Sequence, residues 1–133
     1  VFAGTAFFEK TYREALELLR EARDYLAHCQ RRDLRGLEPL DRLRFSREAT
    51  RLTARLTDVM AWLFVQKALA LGEITIEEAS SHHHRLLRRE VCLDDTGRTE
   101  GSLPRGLAEL LRRSHALYLR IDRLDALIAP AAA

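Results

Sequence analysis

The sequence predicts an all-α chain: an antiparallel three-helix bundle with long helices and a short extra helix between the second and third. Three observations predict it. Apolar residues recur at alternating intervals of four and three in three separate segments, which is the spacing of one helix face packed on slightly supercoiled neighbours. Residues that start and stop helices fall between those segments. No stretch of useful length alternates apolar and polar residues as a half-buried strand does.

Helix 1 is expected over about residues 5–32, where Phe8, Tyr12, Ala15, Leu19, Ala22, Leu26 and Cys29 form the seam. Gly36 and Pro39 interrupt it. Helix 2 is expected over about residues 40–71, on the series Phe45, Ala49, Leu52, Leu56, Val59, Leu63, Gln66 and Ala70. Gly72 followed by Ile74 suits a left-handed cap with an apolar contact behind it. Thr75 and Glu78 form a T-x-x-E capping box that opens the short helix, about residues 76–89. Residues 94–102, with Gly97 and Gly101, read as a mobile loop. Pro104 fits the first position of helix 3, about residues 104–129, whose seam is Leu103, Leu107, Leu110, Ser114, Leu117, Ile121, Leu124 and Ile128. Such helices pack at about 20° and run roughly 38 to 48 Å, so an elongated molecule is expected.

The 133 residues make one domain, 1–133. A chain 47% apolar and 32% charged, with 6 Gly and 3 Pro, buries a core beneath a charged surface, which excludes disorder throughout, collagen and a disulfide scaffold. The longest apolar run, Val59 to Val65, is far shorter than the roughly 18 residues of a membrane span. Two cysteines and no apolar leader point to a reducing compartment, hence the cytoplasm. A net charge of +2 does not by itself imply a polyanionic partner.

Helix 2 carries more than its seam explains. Ala61, Phe64, Val65, Ala68 and Leu71 make a second apolar stripe, and one bundle cannot bury both faces. The short helix folds back over it with Ile76, Ala79, Leu86 and Leu87, or the stripe, with Trp62 at its flank, is the isologous interface of a homodimer, and the two are compatible. Arg44, Arg47, Arg51 and Arg55 line one flank of helix 2, three or four residues apart. Residues 34–72 hold 7 basic against 4 acidic side chains, and residues 73–103 hold 4 against 7. A basic flank opposite an acidic arm is most often a solvated or self-complementary surface. Docking of an acidic partner comes next and nucleic acid last, because the flank lacks stacking aromatics and base-reading polar residues.

No catalytic constellation occurs: no paired carboxylates, no H-E-x-x-H, no G-x-S-x-G. No enzymatic activity and no cofactor are therefore expected. His82, His83 and His84 with Cys92 invite a metal, but consecutive histidines on a helix diverge by about 100°. An ion would also need His28, Cys29 or His115 from elsewhere, and no spacing demands it. Cys29 and Cys92 sit among apolar neighbours and read as inert thiols.

Three stretches taken together carry a resemblance: E-A-T-R-L-T-A-R-L-T-D-V-M-A-W-L-F-V-Q-K-A from Glu48 to Ala68, G-E-I-T-I-E-E-A from Gly72 to Ala79, and L-P-R-G-L-A-E-L-L-R-R-S-H-A-L-Y-L-R-I-D-R-L-D from Leu103 to Asp125. With F-x-x-T-Y at Phe8 to Tyr12, they resemble the alphaproteobacterial RcdA-like family, regulators of CtrA degradation. The combination of W-L-x-x-Q and L-Y-x-R-x-x-R-L-D is its most specific part. The resemblance implies a dimeric, non-enzymatic adaptor, cytoplasmic and placed at the cell pole. Such an adaptor tethers client proteins or further adaptors to a ClpXP protease primed by a CpdR-type response regulator. It assigns no residue to a protease contact. The docking candidates therefore rest on chemistry alone: Arg44, Arg47, Arg51 and Arg55 for an acidic partner, and Ala61, Trp62, Phe64, Val65, Ala68 and Leu71 for self-association. A DNA-binding or transcription-linked regulator using the arginine flank, and a structural dimeric scaffold, are the alternatives.

Overall fold

The computed structural model describes residues 6–79 and 88–128. The described residues are all-α: α1 (Ala6–His28), α2 (Gln30–Arg35), α3 (Pro39–Ala70), α4 (Ile76–Ala79), α5 (Arg89–Leu93) and α6 (Arg105–Ile128), with a 3₁₀ turn at Thr96–Thr99. The three long helices α1, α3 and α6 each pack on the other two. At 32 residues, α3 runs about 48 Å and is the spine.

Local chemistry sets the boundaries. Pro39 opens α3 at a position where its missing N–H costs no hydrogen bond. Gly72, at φ +74, closes it. There the Glu73 N–H reaches the Ala68 carbonyl at 2.9 Å and the Gly72 N–H reaches Leu69 at 3.1 Å, a Schellman ending. The capping box forms as the sequence indicates, with the Glu78 N–H donating to Thr75 Oγ1 at 3.1 Å and the Thr75 N–H to Glu78 Oε1 at 3.4 Å. It opens α4, and the rest of the short helix expected to residue 89 lies mostly outside the described residues.

Helix 1 was expected to run unbroken to about residue 32, but the chain breaks at Cys29 and restarts as α2. The break lets the Tyr25 hydroxyl donate to Asp33 Oδ2 at 2.6 Å and lets Leu34 and Leu37 pack back on the core. Its buried line is Phe8, Thr11, Ala15, Leu18, Ala22 and Tyr25, whereas Leu19 of the expected seam is exposed. Leucine stands at both 18 and 19 and tyrosine at both 12 and 25, so spacing alone could not tell one edge of the stripe from the other.

The largest correction concerns direction. Residues of α3 and α6 that touch rise together along both helices: Arg55 meets Leu111 and Ser114, Asp58 meets Tyr118, Trp62 meets Asp125. These two helices are parallel. α1 opposes both, with Tyr25 over Phe45, Tyr12 beside Phe64, Glu21 paired with Arg113 and Glu14 with Arg120. The expected antiparallel bundle therefore holds for α1 and fails between α3 and α6. Parallel neighbours need a connection that returns the whole length of the bundle, and residues 71–104 are long enough to provide it. Their described second half runs back down α3. Arg88 lies beside Asp58, Val91 beside Arg51, Glu100 beside Arg47 and Ser102 beside Asp41.

Candidate functional site

The arginine flank of α3 faces this returning arm. Arg55 is 0% exposed, and its guanidinium is shared among four acceptors. Nε donates to the Cys92 carbonyl at 2.8 Å and Nη2 to the Asp94 carbonyl at 2.7 Å, while Nη1 donates to the Leu111 carbonyl at 3.1 Å and Ser114 Oγ at 3.2 Å. One side chain thus ties α3, the arm and α6 together. Burial lowers its pKa, with Asp95, 3.8 Å away, opposing that shift. A guanidinium titrates so high that it stays charged regardless.

One turn earlier, Arg51 donates to Glu48 Oε1 at 3.1 Å and to the Val91 carbonyl, with Asp94 at 3.6 Å. Arg47 pairs with Glu48 at 2.8 Å and with Glu100 at 2.6 Å, and both hydrogen bonds, Glu100 first, raise its pKa. Arg44 pairs with Asp41 at 3.0 Å, and Asp41 also accepts the Ser102 N–H at 3.3 Å. Hydrogen bonds from the Thr96 hydroxyl and N–H hold the Asp94 carboxyl below its usual range. The segment expected to be a mobile loop is therefore gripped by a ladder of arginines. For Arg55 the expected docking role is corrected outright, since a guanidinium with no exposed surface cannot meet a partner. Arg44, Arg47 and Arg51 keep some exposure, and each is engaged by the chain's own carboxylates.

Polar groups continue up the α3/α6 contact. The Tyr118 hydroxyl donates to Asp58 Oδ2 at 2.7 Å, and burial first, then this bond, raises the tyrosine pKa. Trp62, expected on the flank of the self-association stripe, is 2% exposed and donates from Nε1 to Asp125 Oδ1 at 3.0 Å. Its place is the core, where the indole N–H meets a buried acceptor on α6. The W-L-x-x-Q and L-Y-x-R-x-x-R-L-D motifs meet at this point. A signal for it lay in the sequence: Glu48, Arg55 and Trp62 recur at intervals of seven, as a buried edge does.

Among the described residues the apolar stripe is partly covered, with Phe64 beside Tyr12 of α1 and α4 packed on α3. Phe64 is 54% and Leu71 64% exposed, Ala61 is exposed, and Val65 and Ala68 are half-buried. Ile76, expected to fold over it, is 68% exposed, while Leu86 and Leu87 lie outside the described residues. So do His82, His83 and His84. Cys92 is buried, with burial pushing its thiol pKa up, and His115 Nε2 donates to the Leu93 carbonyl at 2.9 Å. Among the described residues no three His, Cys, Asp or Glu side chains group as metal ligands, and no helix is long and apolar enough to cross a membrane.

A family model described as a protein of unknown function, DUF1465, matches residues 2–133. The crystal structure of RcdA from Caulobacter crescentus CB15 is similar at a TM-score of 0.76 and 32% identity, covering 94% of this chain and 92% of that one. No curated protein matches the chain. With the family model spanning nearly every residue and the likeness to RcdA extending over both chains, the protein belongs to the DUF1465 family and is RcdA-like.

Proposed function

We propose that this protein is a non-enzymatic adaptor of regulated proteolysis in the cytoplasm, tethering client proteins or a further adaptor to a ClpXP protease primed by a CpdR-type response regulator. The observation that carries this reading is the likeness to RcdA over 94% of the chain at 32% identity. An adaptor raises the effective concentration of a client at the unfoldase, which calls for two binding surfaces and no catalytic group. The arrangement of α3 suits such a division, with the arginine-bearing half spent on internal contacts and the exposed stripe lying further along, toward its C-terminal end.

The reading is tested by following degradation of candidate cell-cycle regulators in a reconstituted ClpXP reaction containing the response regulator, with and without this protein. Faster loss of at least one client is expected. If every client decays at the same rate while a known adaptor accelerates its own, the proposal fails.

Self-association on Ala61, Phe64, Val65, Ala68 and Leu71 belongs to the same reading, since two copies double the number of tethers. Phe64→Asp is expected to convert a dimer into a monomer of unchanged helicity, because a carboxylate cannot be buried unpaired in an apolar interface. Multi-angle light scattering reads the mass directly. An unaltered dimer mass in the variant, or a monomeric parent, removes the stripe as the interface. Duplex-DNA binding by the arginine flank finds no support, since those guanidiniums are held by carboxylates and carbonyls of the same chain.

A further inference from the structure

With the α3 arginines engaged internally, available positive charge has to be sought elsewhere, and it gathers at the α1–α2 corner. An open groove of about 640 Å³ is lined there by Leu26, His28, Gln30, Arg31, Arg32 and Arg35, with Leu34 and Ala27. All three arginines are exposed. Arg31 and Arg35 have no ion-pair or hydrogen-bond partner among the described residues, and Arg32 only grazes Asp33 at 3.5 Å. The one acidic side chain on α2 is Asp33, already accepting the Tyr25 hydroxyl at 2.6 Å. That bond and the packing of Leu34 on the core fix the helix, so the arginines are presented from a rigid support.

We infer that this groove docks an acidic stretch of polypeptide, an extended segment with carboxylates at alternate positions. Arg31 and Arg35 stand one helical turn apart, about 6 Å. Alternate side chains of an extended peptide are spaced about 7 Å along one face, so two carboxylates meet two guanidiniums in register. Leu26 and Leu34, both half-buried, give the methylene stems of those acidic side chains an apolar floor. Nucleic acid fits poorly, because no Phe, Tyr or Trp side chain lines the groove to stack a base. A small inorganic anion would not span a full turn. The inference deepens the adaptor reading by giving its tethered partner a surface and a chemistry.

The test uses the full chain and a fluorescein-labelled nine-residue peptide of alternating glutamate and leucine, followed by fluorescence anisotropy at near-physiological salt. The glutamate peptide is expected to bind and its glutamine counterpart not to. In the double variant Arg31→Glu/Arg35→Glu the affinity should fall about tenfold, the sum of two lost exposed ion pairs and two new repulsions. Arg23→Glu/Arg123→Glu, an equal charge change on exposed residues outside the groove, should shift it less than about twofold. Circular dichroism confirms that both variants fold. Absence of binding, equal binding of the glutamine peptide, or an equal loss in the control pair overturns the inference. So does inorganic phosphate competing as well as the peptide, or single-stranded DNA binding more tightly. No protease is present, so this result and the degradation result fail independently.

Discussion

Replacing Arg55 with Met is expected to lower the unfolding free energy by about 3 kcal/mol and to loosen the arm before the helices. The aliphatic stem is kept, so the change isolates the guanidinium. Its removal strands the carbonyls of Cys92 and Asp94, while the Leu111 carbonyl keeps the Ser114 hydroxyl as a donor at 3.0 Å. Each buried acceptor left without a donor costs about 1–3 kcal/mol, and the two arm carbonyls recover part of that by swinging toward water. Arg55→Lys should restore less than half, since an ammonium donates from a single point and cannot span acceptors on both the arm and α6. Urea denaturation measures the first effect. Hydrogen exchange measures the second: amides in residues 88–103 should lose protection well ahead of those in α1. An unchanged urea midpoint would show that the arm is held by its apolar contacts and that the ladder is incidental.

The helices were legible because a heptad seam is written in residue type. Phe45, Leu52, Leu56, Val59 and Leu63 are buried where the spacing puts them, and the caps at Gly72 and Thr75 act as their chemistry dictates. Direction was not legible in the same way. A parallel and an antiparallel partner for α3 present the same apolar spacing, and only the length of the connection and the positions of polar partners distinguish them. Asp58 with Tyr118 and Trp62 with Asp125 decide the matter, but each pair lies about 60 residues apart in the chain, and nothing local ties its members.

The interaction surfaces show the same division. Arginines at intervals of three and four looked like a solvent-facing flank, since charged residues are seldom fully buried unless paired. Here they are paired, by an acidic arm whose charge balance was visible but whose path was not. Arg31, Arg32 and Arg35 carry no spacing that sets them apart among 22 basic residues. They stand out only once the other arginines are seen to be engaged.

Gly97→Ala is expected to destabilise the protein by about 2–4 kcal/mol, far more than a single methyl normally does. A Cβ built on Gly97 falls 2.3 Å from Glu48 Oε2, 2.6 Å from its Cδ and 2.8 Å from Arg47 Nη2. A surface carboxylate would rotate away. Glu48, however, is buried and held from both sides by Arg47 at 2.8 Å and Arg51 at 3.1 Å, so its displacement breaks two charge-assisted hydrogen bonds at once. The alternative is for the arm to lift off α3, which separates Arg47 from Glu100 and draws the Asp94 carbonyl from Arg55. Gly36→Ala is the matched control. A Cβ there meets nothing within 4 Å and φ is −90, so the change should be neutral or slightly stabilising through the unfolded chain. Thermal and urea unfolding of the two variants side by side give the comparison. Equal midpoints would mean that the arm shifts freely over α3 and that the Arg47, Glu48 and Arg51 cluster does not hold it. A large loss at Gly97 alone would show the cluster and Arg55 acting as one clamp, which keeps α6 parallel to α3 and fixes the fold on which the apolar stripe and the basic groove are displayed.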